Sequence, residues 1–176
     1  MSTFGQNNKW VNEYVNKYGL IYRQPKNFEY RENSIAIIDG KLQAQLAGSL
    51  ANLISKDKDI VVCIVFYDID TTRGNMFLKR DGTYWSSNKN YLPRSEILEI
   101  FDQKDTKNIN NADVSGTYDL EPWKVHLLSE NEKCKVIFIH KEDRLDIELY
   151  CYYKPMKDKK LEKYIKSVRN LFKFNE

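Results

Sequence analysis

The sequence predicts an α+β domain in which a mainly antiparallel sheet packs against about four helices. Three observations lead to this prediction. Asp81-Gly82 stands between two short strand-like segments and favours a hairpin turn. Three apolar or alternating segments follow in the C-terminal half, joined by short charged stretches that are typical of an antiparallel meander. Apolar side chains recur at helical spacing near both ends, which predicts an N-terminal and a C-terminal amphipathic helix.

Length and composition favour one globular domain over residues 1–176. The chain has 41% hydrophobic and 30% charged residues, a balance that excludes a disordered chain and allows a continuous core. The longest apolar run, Ile60–Tyr67, is far shorter than a membrane span of roughly 20 residues. The first residues also lack the pattern of a secretory signal, so we expect a cytoplasmic protein with no membrane partner.

Cysteine usage agrees with a reducing compartment. Cys63, Cys134 and Cys151 are widely separated, and each lies inside an apolar segment where a thiol behaves as a small hydrophobe. The sequence contains no Cys-x-x-Cys pair. We therefore predict free thiols and no cofactor.

The N-terminal third contains one clear helix and two weak strands. Residues 7–18 predict a helix that ends at Gly19. Leu20–Tyr22 and Asn27–Arg31 are predicted as short strands. Residues 41–54 allow two structures, a hairpin strand and an amphipathic helix. We favour the helix, because its apolar pattern persists for four turns, through Ser55.

The middle of the chain predicts the centre of the sheet. Ile60–Tyr67 is a nearly continuous apolar run and is typical of a strand that is buried on both faces. Met76–Lys79 and Thr83–Ser86 form the predicted hairpin. A further helix is predicted to begin near Pro93, and residues 102–116, which contain few apolar side chains, predict a long polar loop.

The C-terminal part predicts three strands and a helix. Trp123–Leu128, Cys134–His140 and Leu145–Tyr153 are the strands of the predicted meander. Pro155 ends the last strand, and apolar residues from Leu161 to Phe172 predict a helix that continues to the C-terminus.

Asp68 and Asp70 form the most enzyme-like motif, since two carboxylates at a strand end can both reach one Mg²⁺ ion. Over about eight residues the segment resembles the first motif of haloacid-dehalogenase-type phosphatases, which implies a nucleophile at Asp68 and an acid or base at Asp70. Those enzymes have a parallel sheet, whereas the downstream segments here predict antiparallel strands. The structural alternative is that both aspartates belong to the turn that ends the strand.

Two histidines, His126 and His140, fall on neighbouring predicted strands, with Cys134 and Cys151 nearby in sequence. A mixed metal site is one interpretation. We favour ordinary strand residues, because strand alternation does not bring four such ligands to one point.

Two aromatic segments are candidates for recognition of another protein. Tyr84, Trp85 and Tyr91 combine rigid aromatic area with small polar neighbours. On the last predicted strand, a set of acidic and aromatic side chains shares the face opposite the apolar one. This set comprises Asp146, Glu148, Tyr150 and Tyr152.

Positive charge is concentrated at the C-terminus, where residues 154–176 contain eight Lys or Arg against three acids, although the whole chain carries only +3. This density could neutralise phosphates on nucleic acid or an acidic protein surface, or it could be a solvated helix face. The basic patch consists of Lys157, Lys159, Lys160, Lys163, Lys166 and Arg169.

These observations lead us to expect a non-enzymatic protein that binds another protein, for example an inhibitor or immunity protein that neutralises a toxin. The chain offers few residues for building a catalytic site. Nucleic-acid binding through the C-terminal helix is the first alternative. Metal-dependent phosphotransfer or nuclease activity at Asp68 and Asp70 is the second.

Overall fold

A computed structural model describes most of the chain, and the account below concerns residues 8–32, 51–68, 76–78, 84–86, 110–120, 133–141 and 144–176. Within these ranges the chain forms two helices and ten strands. The helices are α1 (Lys9–Tyr18) and α2 (Asp158–Arg169). The strands are β1 (Leu20–Tyr22), β2 (Phe28–Glu32), β3 (Ala51–Ser55), β4 (Ile60–Asp68), β5 (Met76–Leu78), β6 (Tyr84–Ser86), β7 (Val114–Leu120), β8 (Lys133–Lys141), β9 (Leu145–Tyr153) and β10 (Phe172–Phe174).

A six-stranded antiparallel sheet forms the centre of the described structure. Its strand order is β2-β3-β4-β9-β8-β7. The two middle strands, β4 and β9, pair over nine residues each, from Ile60 opposite Tyr153 to Asp68 opposite Leu145. Two smaller antiparallel sheets pair β1 with β10 and β5 with β6. The predicted α+β class, the antiparallel sheet and the hairpin of β5 and β6 are confirmed.

One face of the sheet, called the first face, is covered by both helices. Strand alternation turns Val62 and Ile64 of β4 and Ile147 and Leu149 of β9 to this face, and all four are fully buried. From α2 this core receives Tyr164, Ile165 and Val168, and from α1 it receives Val11. Burial of these apolar side chains is the main force that packs the helices on the sheet.

The opposite face, called the second face, is also buried, but its composition is mixed. Apolar Val136 and Phe138 of β8 lie there beside polar and ionisable side chains, and each is fully buried. Because β9 is buried at all nine positions, neither side of the middle of the sheet faces solvent. The expectation that Ile60–Tyr67 is buried on both faces holds for Ile60–Val65, where every residue is buried.

Strands near the two ends of the described chain pair beside the first face. Helix α1 ends at Gly19, which has φ 61° and ψ 50°, a left-handed conformation that glycine adopts at low cost. The chain then enters β1, which pairs with β10 from Leu20 opposite Phe174 to Tyr22 opposite Phe172. The predicted helix over 7–18 and the predicted strands at Leu20–Tyr22 and near Asn27–Arg31 are therefore confirmed.

The prediction of about four helices is wrong for the described part of the chain, which contains two. At Ala51–Ser55 the favoured helix is replaced by β3, which pairs with β2 on one side and β4 on the other. Leu53 and Ile54 fit the predicted helical pattern, but pairing between two strands satisfies the backbone and buries Leu53 completely. Residues 41–50 of the predicted helix lie outside the described residues. Tertiary pairing overrides local helix propensity here. The predicted helix near Pro93 lies outside the described residues.

The C-terminal helix is shorter than predicted. It ends at Arg169; Leu171 then lies just before β10 and Phe172 is the first residue of that strand, so neither continues the helix. The predicted polar loop over 102–116 is also too long, since Val114–Gly116 pair with β8 as part of β7. The meander is therefore formed by β7, β8 and β9, with β7 as its first strand along the chain. The predicted strand Trp123–Leu128 lies outside the described residues.

The described helices are short and carry charged residues along one side. Neither of them is long and apolar enough to cross a membrane.

Candidate functional site

The second face contains a buried pair of ionisable side chains near the end of β8 and the start of β9. Nδ1 of His140 on β8 lies 2.5 Å from Oδ1 of Asp146 on β9, and both side chains are fully enclosed. The hairpin that joins these strands explains the pairing, because its register places His140 directly opposite Asp146. When Nδ1 carries the proton, it donates a hydrogen bond to the carboxylate of Asp146, and this bond fixes the orientation of the imidazole ring.

A second polar pair lies next to the first on the same face. The phenol of Tyr150 donates a hydrogen bond to Oε2 of Glu148, two positions along β9. The side chains of Glu148 and Tyr150 are each 1% exposed. Together with His140 and Asp146 they form a row across β8 and β9, which we call the buried polar cluster. A buried polar group is tolerated when it is hydrogen-bonded, and the atoms that join each of these pairs meet that condition.

The geometry of His140 resembles that of a histidine in a proton-transfer or metal site, where a carboxylate orients one ring nitrogen and the other nitrogen acts. Nε2 of His140 is buried and has no hydrogen-bond partner in the described part of the chain. Among the described residues, however, no group of three or more His, Cys, Asp or Glu side chains is placed to bind a metal ion. In this structure the cluster is closed to solvent.

The acidic-aromatic set predicted for recognition lies on this face. Asp146, Glu148, Tyr150 and Tyr152 do share the side of β9 opposite the apolar one, and each is at most 2% exposed. A partner protein would not reach these side chains in the conformation described. Their predicted role in partner binding is therefore not part of the proposal below.

A second constellation joins the turn after β3 to helix α2, and we call it the α2 clamp. Nζ of Lys160 lies 3.1 Å from Oδ2 of Asp57 and also bonds to Asp59. Asp57 accepts further hydrogen bonds from the phenol of Tyr164 and, at 2.6 Å, from Oγ of Ser55. Five side chains, from the end of β3, the turn that follows it and α2, thus fix the first half of α2 to the sheet.

The α2 clamp shifts the acidity of its members. Partial burial favours the neutral form of Asp57, but the hydrogen bonds from Ser55, Tyr164 and Lys160 outweigh it and hold the pKa of Asp57 well below its ordinary value. Hydrogen bonds to Asp59 and Asp57 raise the pKa of Lys160. The clamp is therefore charged at neutral pH.

Most of the predicted basic patch lies on the exposed side of α2. Lys159, Lys163 and Lys166 are exposed and follow one another at intervals of four and three residues, which aligns them on a single helix face. We call these three residues the lysine stripe. Within the described part of the chain none of them forms an ion pair. The exposed Lys157 lies just before the helix begins.

Two members of the predicted patch have structural contacts instead. Lys160 belongs to the α2 clamp, and the guanidinium of Arg169 turns toward β7, where Nη2 donates to Oγ1 of Thr117 at 2.7 Å. The second half of α2 is thus fixed to the sheet as well. Within the patch, the lysine stripe therefore faces solvent, whereas Lys160 and Arg169 fix α2 to the sheet.

The three cysteines are buried and form no disulfide bond. Burial raises the pKa of the thiols of Cys134 and Cys151. Neither is a reactive thiolate at neutral pH, because the thiolate is disfavoured in an enclosed apolar site.

Other predicted site residues cannot be placed in a site. Tyr84 and Trp85 lie on β6 and Asp68 ends β4, but only their backbone is described. Tyr91, Asp70 and His126 lie outside the described residues. The aromatic recognition surface and the metal site at Asp68 and Asp70 stay predictions.

The pair of His140 and Asp146 was missed by the sequence analysis, although a signal was present. A hairpin between the strands that end near His140 and begin near Leu145 implies a register that brings the two side chains together. Comparison with known proteins adds no further assignment: no family model, no curated protein and no solved structure matches this chain.

Proposed function

We propose that this chain acts by binding another protein and not by catalysing a reaction. The observation that carries the proposal is the division between enclosed and exposed polar groups. The side chains best suited to acid-base chemistry, His140 and Asp146, are fully enclosed and paired with each other. The lysine stripe, in contrast, faces solvent on a helix that is fixed to the sheet at both ends.

Rigidity makes such a surface suitable for recognition. The α2 clamp fixes the N-terminal half of the helix, and Arg169 fixes its last turn through Thr117. A surface that is ordered before binding loses less conformational entropy when a complex forms. Within this class we propose an inhibitor or immunity protein, which neutralises a toxin by contact; the small size of the scaffold is its main support.

The proposal is tested by cross-linking the tagged full-length chain in its native host and identifying the proteins attached to it. We expect one protein to be enriched, to form a purified complex with a Kd of about 1 µM or tighter, and, if it is a toxin, to lose activity at equal molar amounts. Failure to obtain any purified complex with an enriched protein would contradict protein binding. A complex that leaves a toxic activity unchanged would contradict the inhibitor role alone.

Nucleic-acid binding is a second candidate, favoured by the lysine stripe and by the exposed Lys56 and Lys58 in the turn next to the α2 clamp. Such binding is strongly salt-dependent, because each phosphate contact releases counterions. Retention on a DNA or RNA column that falls with salt, and that is lost when the stripe is changed to glutamate, would establish it.

A further inference from the structure

The lysine stripe is a continuous positive ridge on the side of α2 that points away from the core. Lys159 and Lys166 are seven residues apart, so the ridge is about 10 Å long at 1.5 Å per residue. The apolar residues Tyr164, Ile165 and Val168 occupy the opposite side of the helix, against the sheet. Glu162 lies three residues after Lys159 and four before Lys166, so it neighbours the stripe.

Acidic residues border the stripe along one side. Asp158 and Glu162 are both exposed, and seen along the helix axis Glu162 is rotated from Lys159 by about 60° and Asp158 by about 100°. A nucleic-acid backbone, which is negative along its whole length, would pass close to both carboxylates. A protein segment with a single row of carboxylates would contact the lysines and could place neutral or basic side chains beside the two acids.

Two further features of α2 disfavour nucleic acid. Its one arginine, the residue type best suited to bidentate phosphate contact, turns inward to Thr117. Its one aromatic residue, Tyr164, is buried against Phe28, with ring centroids 5.8 Å apart, and is not presented for stacking on bases. The exposed side of α2 therefore presents a row of lysine charges, without an arginine or an aromatic ring for contact with nucleic acid.

We infer that the lysine stripe is the contact surface for a carboxylate-rich protein segment, namely a helix with acidic residues at matching intervals of four and three. This inference rests on the proposed function and specifies the chemistry of the partner. The recognition is electrostatic, so it steers association and weakens as salt rises.

The test is an NMR titration of the ¹⁵N-labelled full-length chain with two probes. One probe is a helical peptide with three glutamates at these intervals, and the other is a DNA duplex of about 20 base pairs. We expect the peptide to shift amide signals of residues 159–167 at lower concentration than the duplex does. The variant Lys159→Glu/Lys163→Glu/Lys166→Glu should raise the peptide Kd by about tenfold or more.

The matched control is Arg23→Glu/Lys26→Glu/Lys133→Glu, which changes the net charge equally at three exposed positions outside α2. It should leave the peptide Kd within about twofold of the unchanged chain. A duplex that binds more tightly than the peptide, or peptide shifts that lie away from α2, would overturn the inference. A cellular partner whose binding survives the stripe variant would overturn it while leaving protein binding intact.

Discussion

The two faces of the central sheet are both buried, yet they are stabilised by different interactions. On the first face, side chains such as Ile147 and Leu149 pack against two helices in an apolar core. On the second face, His140, Asp146, Glu148 and Tyr150 are enclosed and paired by hydrogen bonds. On the first face a substitution costs stability in proportion to the apolar volume it removes, whereas on the second face removing one member of a polar pair also leaves its partner buried without a hydrogen bond. The comparison suggests that the faces will respond differently to substitution.

The largest effect is expected on the first face from Phe172→Ala. Phe172 is fully buried, and the centroid of its ring lies 5.4 Å from the ring centroid of Tyr22 and 5.3 Å from that of Phe66. Removal of the ring should lower the free energy of unfolding by about 4 kcal/mol, through lost burial and the cavity left behind. Denaturant unfolding measures this, and Phe172→Leu serves as a milder control. A loss below about 1 kcal/mol would show that β10 is not part of the cooperative core.

On the second face, Asp146→Ala should lower the free energy of unfolding by about 3 kcal/mol, because it leaves the imidazole of His140 enclosed without its carboxylate. The double variant His140→Phe/Asp146→Leu removes both polar groups and should recover most of that loss. A double-mutant cycle in urea measures the coupling. If Asp146→Ala and the double variant lost the same free energy of unfolding, removing both polar groups would recover nothing. The second face would then respond to substitution as an ordinary apolar core does.

A smaller effect is expected at the α2 clamp, which keeps the helix on the first face. Asp57→Asn should cost about 1 kcal/mol at pH 7, since the side chain of Asp57 is 42% exposed and solvent screens its ion pair. The pKa of Asp57 is lower in the folded chain than its ordinary value of about 3.9. Ionised Asp57 therefore stabilises the fold above about pH 4, and that contribution is lost as pH falls through the lower, folded-state pKa.

Stability measured from pH 7 down to about pH 2 should show the native chain and Asp57→Asn converging below about pH 4. Tyr164→Phe removes one donor to Asp57 and retains the buried ring, so it should reduce the difference without abolishing it. A constant gap between native and Asp57→Asn at every pH would contradict the role of the charged carboxylate.

The smallest effect on stability is expected from the lysine stripe. Lys159→Glu/Lys163→Glu/Lys166→Glu should change the free energy of unfolding by about 0.5 kcal/mol or less per site, because these side chains are exposed and form no ion pair within the described residues. Circular dichroism during thermal unfolding checks this. A large loss would mean that the stripe has a structural role, in contrast to its proposed role in binding.

The pattern of apolar side chains along the sequence predicted several strands of the central sheet. Leu145, Ile147 and Leu149 predicted the apolar side of β9, and Ile60–Tyr67 predicted the doubly buried strand β4. Local patterns succeed where a segment's period agrees with its final pairing. They failed at Ala51–Ser55, where a helical period was overridden by strand pairing, and at Phe172, which left the helical stripe to pair with Tyr22.

By itself the sequence determined the class of the fold, the amphipathic character of α1 and α2, and the concentration of lysines near the C-terminus, because these depend on residues close together in the chain. Only the tertiary structure decided which charges are free. It brought Asp57 to Lys160 across 103 positions and Thr117 to Arg169 across 52. It also enclosed His140 with Asp146, since burial depends on what distant segments pack together.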